Sequence, residues 1–214
     1  MTFILFALGQ LAMHCERLPS LPCGRKLELH TNDAEIGGRV WKAAPLLCAW
    51  LAEAQPEIEG ASICELGAGT GAVGLYAAGL GATRVLLTDG SSRLVSLLRE
   101  NAAVNSWARC SSIEVQQLTW GGDAVPEGCF DWVLGSDLTY DDEARALLCH
   151  TLHRLLANAA AKGHVTRALL AEEHGTPEPT SVDGLFRDAD LDAFIATAEE
   201  HGLEIQPLGA AETG

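Results

Sequence analysis

Positive charge is scarce in this sequence. Fourteen Lys and Arg face twenty-nine Asp and Glu, a net charge of −15 with a pI near 4.7. So acidic a surface repels a phosphate backbone, which argues against duplex DNA or RNA as a general partner. It would attract a basic protein or peptide, although simple solubility is the better account of it. Long apolar runs are missing too. None reaches the ~18 residues that span a bilayer, so no membrane association is expected. There is no low-complexity tract and no internal repeat, which excludes fibrous and disordered classes. The seven cysteines are odd in number, scattered and without a CxxC pair. A disulfide framework is therefore not expected, and the thiols fit a reducing, cytoplasmic compartment, with the nucleus also open. GxSxG, HExxH and GxxxxGK[ST] are all absent, leaving hydrolase and P-loop chemistries without their required groups.

What is present suffices for one domain. The chain has 214 residues, 48% of them hydrophobic, with a mean hydropathy of +0.12. Residues 1–24 read as an extension. Thr2 to Met13 carries little polarity, but no Lys or Arg precedes it and no A-x-A site follows, so a strand, a helix or a mis-started segment fits better than a signal peptide. Residues 25–214 read as the functional domain. Strands are expected at Lys26–Thr31, Ala61–Leu66, Thr83–Thr88, Ile113–Gln117, Phe130–Ser136, Val165–Ala171 and Leu203–Leu208. Helices are expected at Ala43–Ala54, at Gly71–Leu80, after a Ser91 or Ser92 cap, and at Asp190–His201. The clearest helix carries Ala144, Leu147, Leu148, Thr151, Leu152, Leu155, Leu156 and Ala159 at i, i+3, i+4 spacing, with Asp141 as its cap. Thr176–Ser181 reads as a Pro-containing loop. Strands alternating with helices imply an α/β, Rossmann-like fold: a mostly parallel sheet with helices on both faces and ligands at the carboxyl ends of the strands.

The chemistry-bearing pattern starts at Glu65-Leu-Gly67-Ala-Gly69-Thr-Gly71, between a strand and a helix. Glycines there allow a tight turn and close approach to a ligand. Gly69-Thr-Gly71-Ala-Val-Gly74 also fits the dinucleotide fingerprint, so either NAD or S-adenosylmethionine suits this stretch. Asp89 ends the next strand, about twenty residues on, where an acid can accept from both ribose hydroxyls. Glu65, directly before the first glycine, favours S-adenosylmethionine, because E-x-G-x-G-x-G after the first strand is similar to motif I of class I methyltransferases. Three further elements follow in order: Gly38-Arg-Val-Trp41, Leu118-Thr-Trp120-Gly121 and Ser136-Asp137-Leu-Thr-Tyr140. Together they resemble the seven-β-strand protein-lysine methyltransferases of the family 16 type, over about residues 25–208.

That resemblance implies transfer of a methyl group from S-adenosyl-L-methionine to the ε-amine of a lysine in a protein substrate. It implies that Gly67, Ala68 and Gly69 line the methionine part of the cofactor, Asp89 the ribose and Trp120 the adenine, with Glu65, Trp41 and Ser136 completing the wall. Asp137 and Tyr140 would be the catalytic pair, orienting the lysine. The alternatives are a small-molecule methyltransferase, an NAD-dependent oxidoreductase and a non-catalytic binding module. Asp141–Glu143 reads as a solvated helix start, and Glu172-Glu173-His174 as a solvated loop at the rim of the cleft. Cys149, His150 and His153 are not expected to bind metal. The resembled family closes its sheet with an antiparallel strand between the fifth and sixth. Here only GAAETG follows Leu208, with little β-propensity. That last antiparallel strand is therefore expected to be missing. Two strand edges would be left open, or the sixth strand would move beside the fifth, as in a truncated or differently spliced chain of lower stability.

Overall fold

The computed structural model describes residues 3–7, 17–106, 110–122, 124–172 and 189–208. The elements in chain order are β1 (Phe3–Ala7), α1 (Ala43–Glu53), α2 (Gln55–Ile58), β2 (Ser62–Glu65), α3 (Ala72–Leu80), β3 (Arg84–Asp89), α4 (Ser92–Val104), β4 (Ser112–Gln117), β5 (Trp132–Ser136), α5 (Asp142–Ala161), β6 (Arg167–Ala171), α6 (Ala189–Glu200) and β7 (Glu204–Leu208). They form one seven-stranded sheet in the order β4-β3-β2-β5-β6-β1-β7. Every strand pairing among the described residues is parallel.

Both sheet faces are covered, and the strands show it residue by residue. Ile63, Val85, Leu87, Trp132, Leu134, Leu169 and Ala171 join the core beneath α1 and α3. Their neighbours Cys64, Leu86, Val133, Ala168 and Leu170 join the core beneath α5 and α6. This period-two partition makes the strands apolar on both sides, as a buried parallel sheet requires. Chain order reverses between β2 and β5: strands run outward one way through β3 and β4, the other way through β6. A crevice forms at the carboxyl ends on either side of that switch.

Local signals explain the helices. Ser91 accepts the Leu94 N–H at 3.4 Å and starts α4, and Asp141 accepts the Ala144 N–H at 2.8 Å and starts α5. Along α5 the apolar stripe is buried from Leu148 to Ala159, but Leu147 is exposed and Arg145 is buried.

Three expectations need correction. Lys26–Thr31 is extended but joins no sheet. The amides of Asn101 on α4 and of Asn105 at its C-cap, both fully buried, take the place of a neighbouring strand. Asn105 accepts from the Glu28 N–H at 3.1 Å and donates to the Glu28 carbonyl at 2.7 Å. Asn101 does the same for His30, at 2.7 and 3.1 Å. A carboxamide carries the same donor–acceptor pair as a peptide group, so it satisfies an extended backbone as a strand would.

The open sheet edges are the second correction. No antiparallel strand is present among the described residues, yet β6 and β7 are not left unpaired, and β7 is not beside β6. β1 lies between them, in parallel, with Ile4 opposite both Ala168 and Ile205. The run FILFA has the branched and aromatic composition of a buried strand, and the edges it covers would otherwise carry unpaired backbone groups. Third, Glu172 is buried rather than part of a solvated loop. Glu173, His174, Thr176–Ser181 and residues 209–214 lie outside the described residues.

Candidate active site

A cavity of about 780 Å³ opens at the switch point, within the usual size of a small-ligand pocket. The expected site residues come from separate segments, and all of them reach it: Trp41, Glu65, Gly67, Ala68, Gly69, Asp89, Trp120, Ser136, Asp137 and Tyr140.

The floor is the glycine loop after β2. Gly67 and Gly69 have φ of +56° and +54°, which glycine adopts without penalty. A methyl group on Gly67 would lie 2.6 Å from the Leu138 side chain and 3.1 Å from the Trp120 ring. One on Gly69 would collide with the carbonyl oxygen of Gly37. The loop is thus pressed between the turn after β5 and Trp120 on one side and the 32–38 loop on the other. Asn101 also donates to the Thr70 carbonyl at 2.8 Å, so one buried amide ties the glycine loop to the extended segment leading to Trp41.

Asp89 ends β3 and is 9% exposed. Its two carboxylate oxygens accept the Gly69 N–H at 3.0 Å and the Ser91 N–H at 2.9 Å. Burial raises its pKa, and the bonds from Ser91, Gly69 and Gly90 oppose that rise. A carboxylate offers about four acceptor sites, so this one is fixed in orientation and can still accept from a ligand hydroxyl.

Glu65 lines the cavity floor, but it is 2% exposed and is chiefly occupied with the start of α3, accepting the Gly74 N–H at 2.8 Å. Burial pushes its carboxyl up to about 8; the bonds from Gly74 and Val73 oppose this, and the charge of Asp89 adds to it.

The Trp120 side chain owes its position to its neighbour. Gly121 (φ +77°) donates its N–H to the Thr151 hydroxyl at 3.0 Å, and a side chain there would strike Leu147 of α5. Trp41 and Tyr140 stand at the mouth, 50% and 68% exposed. Neither ring is part of the core. Burial on its inner side, with Asp141 and Asp89 nearby, raises the Tyr140 pKa.

Asp137 follows β5 in the left-handed region (φ +54°), the one non-glycine residue there among those described. Its Oδ2 accepts the N–H of Ala43, the first residue of α1, at 3.2 Å. Two residues bear on this turn in ways not read from the sequence: Arg145 is not among the expected site residues, and Glu172 is expected in a solvated loop. Arg145, 5% exposed, donates two N–H groups to the Thr139 carbonyl at 3.2 and 3.1 Å and pairs with Asp142 at 2.9 Å. Glu172 accepts the Leu138 and Thr139 N–H groups. Arg145 could have been found as the one charge at a position continuing the stripe back from Leu148 and Leu152. Glu172 has only its place at the end of a strand to mark it. The described residues contain no group of three His, Cys, Asp or Glu side chains placed to hold a metal.

The order of these motifs, set around a class I crevice, defines the class. A profile of the lysine methyltransferase family matches residues 25–170, and the chain belongs to that family. It is 40% identical over 123 residues to the protein N-lysine methyltransferase METTL21A of Danio rerio, covering 56% of each chain. It is 31% identical over 205 residues to the EEF1A lysine methyltransferase 3 of Mus musculus, covering 87% of this chain and 83% of that one. The chain thus spans little more than half of the METTL21A relative. Among solved structures, magnesium protoporphyrin IX methyltransferase from Synechocystis, with bound SAH, superposes with a TM-score of 0.53 at 22% identity, over 78% of this chain and 74% of that one. That likeness concerns the fold.

Proposed function

We propose that this protein transfers a methyl group from S-adenosyl-L-methionine to the ε-amine of a lysine in a protein substrate. The observation that carries the reading is the convergence of all the motif residues on one cavity. Trp120 and the Asp137–Tyr140 turn have no task in hydride transfer, which sets the NAD reading aside. The cavity fits the cofactor: glycines where side chains would fill it, a fixed carboxylate at the end of β3 and an indole beside the glycine loop.

When bound, S-adenosylmethionine supplies an electrophilic methyl on a sulfonium. The chain supplies position. Gly67–Gly69 would admit the methionine portion, Asp89 would accept from the ribose hydroxyls, and Trp120 would flank the adenine. Trp41 and Ser136 close the wall, and Glu65 holds the floor by capping α3. The acceptor enters past Tyr140. A lysine with a pKa of about 10.4 must lose its proton to attack, which costs about 4.6 kcal/mol at pH 7. Desolvation in the channel offsets part of that cost. Asp137 acts as an orienting group, because a nearby carboxylate raises the amine's pKa. Tyr140 offers its ring to the cation and its oxygen to the N–H.

The acidic surface and the free cysteines among the described residues support a protein acceptor, no nucleic-acid partner and a cytoplasmic location. No helix among the described residues is long and apolar enough to cross a membrane. Parallel calorimetry with S-adenosylmethionine and NAD tests the cofactor. Saturable binding of the first and none of the second is expected, and the reverse would refute the assignment.

A further inference from the structure

Glu172 does not line the cavity, and its exposure is 8%. It is the first residue beyond β6, next to the exit of β5. The pairing of these strands runs to Ser136 opposite Ala171 and is extended one step by the Asp137 N–H, which donates to the Ala171 carbonyl at 2.9 Å. There the backbone ladder stops and a side chain continues it. One oxygen of Glu172 accepts the Leu138 N–H at 2.9 Å, and the other reaches the Thr139 N–H at 3.4 Å. From the opposite side, Arg145 of α5 grips the Thr139 carbonyl with two N–H groups. A buried carboxyl and a buried guanidinium thus satisfy the backbone of a single turn.

Leu138 and Thr139 are 4% and 5% exposed, so water does not reach their backbone groups and side chains must satisfy them, although burying ionisable groups is costly. What the turn carries is Asp137, in a left-handed conformation and aimed at the start of α1, and Tyr140 at the cavity mouth. It also carries Leu138, which packs on Gly67. Shifting the turn would therefore move the acceptor-binding groups and the glycine loop's neighbour together.

We infer that Glu172 is a positioning residue for methyl transfer: its carboxylate braces residues 138 and 139 so that Asp137 and Tyr140 present the acceptor amine to the cavity. The inference rests on the function proposed above, and its test separates the two. Glu172→Gln keeps one acceptor oxygen and turns an NH2 group toward an N–H donor. Glu172→Ala removes both acceptors. In wild type and both variants, the rate of labelled-methyl transfer to lysate protein is measured at saturating S-adenosylmethionine. Cofactor affinity is measured by calorimetry, and the Leu138 and Thr139 amide resonances by NMR.

The expected result is a rate at least tenfold lower for Glu172→Gln and lower still for Glu172→Ala, a cofactor Kd within twofold of wild type, and displaced resonances for both amides. Should Glu172→Ala fail to fold, the Gln variant decides. A wild-type rate in Glu172→Gln overturns the inference, as does a rate loss matched by an equal loss of cofactor affinity, or amide resonances that stay in place. A wild-type chain that transfers no methyl group refutes the function instead, and the amide resonances then decide the brace alone.

Discussion

Glu65 ties the stability of this protein to pH in a direction opposite to that of most carboxylates. Its side chain is 2% exposed and its carboxyl is pushed from an ordinary 4.5 to about 8, chiefly by burial. The folded protein therefore holds a proton that the unfolded chain releases. The stabilisation linked to that proton is complete below about pH 4.5, declines as pH rises and is gone above about pH 8. At about 1.4 kcal/mol per pH unit, the whole window amounts to roughly 5 kcal/mol as an upper bound. Glu65→Gln keeps the shape and an oxygen for the Gly74 N–H but has nothing to titrate. Urea unfolding of both proteins at half-unit steps from pH 5.5 to 9 isolates this residue, because the other raised carboxyls, Asp89 and Glu172, titrate in both. Wild type should lose stability relative to the variant by several kcal/mol across the series, with most of the loss below pH 8. Parallel curves would show that Glu65 is ionised throughout and that the Gly74 and Val73 N–H groups outweigh its burial.

Other substitutions separate binding from transfer. Asp89→Ala should weaken S-adenosylmethionine binding tenfold or more by calorimetry, since both the ribose acceptor and the tie to Gly69 are lost; an unchanged Kd would remove Asp89 from the site. Asp137→Ala and Tyr140→Phe should depress transfer far more than cofactor affinity, and equal losses would make them structural. Deleting residues 1–16 should expose the facing edges of β6 and β7, lowering Tm and promoting self-association in light scattering. A deletion variant with wild-type Tm and a monomeric profile would contradict the place assigned to β1.

The parts of the site legible in the sequence are those whose chemistry is local. Glycines after an apolar strand, an acid at the end of the next, and Trp-Gly or Asp-x-x-Tyr after later strands each announce a loop at a carboxyl edge. The topology then brings those edges together. What stayed hidden depends on partners distant in sequence. Asn101 and Asn105 look like ordinary polar residues on a helix until Glu28 and His30, more than seventy residues earlier, lie against them. Glu172 in isolation resembles a solvated loop residue; only the strand pairing puts it beside Leu138. Composition does not say which apolar segment lies between β6 and β7. FILFA reads as a strand or as a helix, and less well as a leader.

The central claim is that a methyl group reaches a lysine side chain of a protein. Its most direct test is incubation of the purified protein and a cell lysate with S-adenosylmethionine labelled in the methyl group. The labelled protein is then hydrolysed completely to amino acids and separated by chromatography. The account predicts label in methylated lysine, rising with pH through neutrality and, at sub-saturating S-adenosylmethionine, strongly reduced by Asp89→Ala. Label in another amino acid, or only in small molecules, would contradict it.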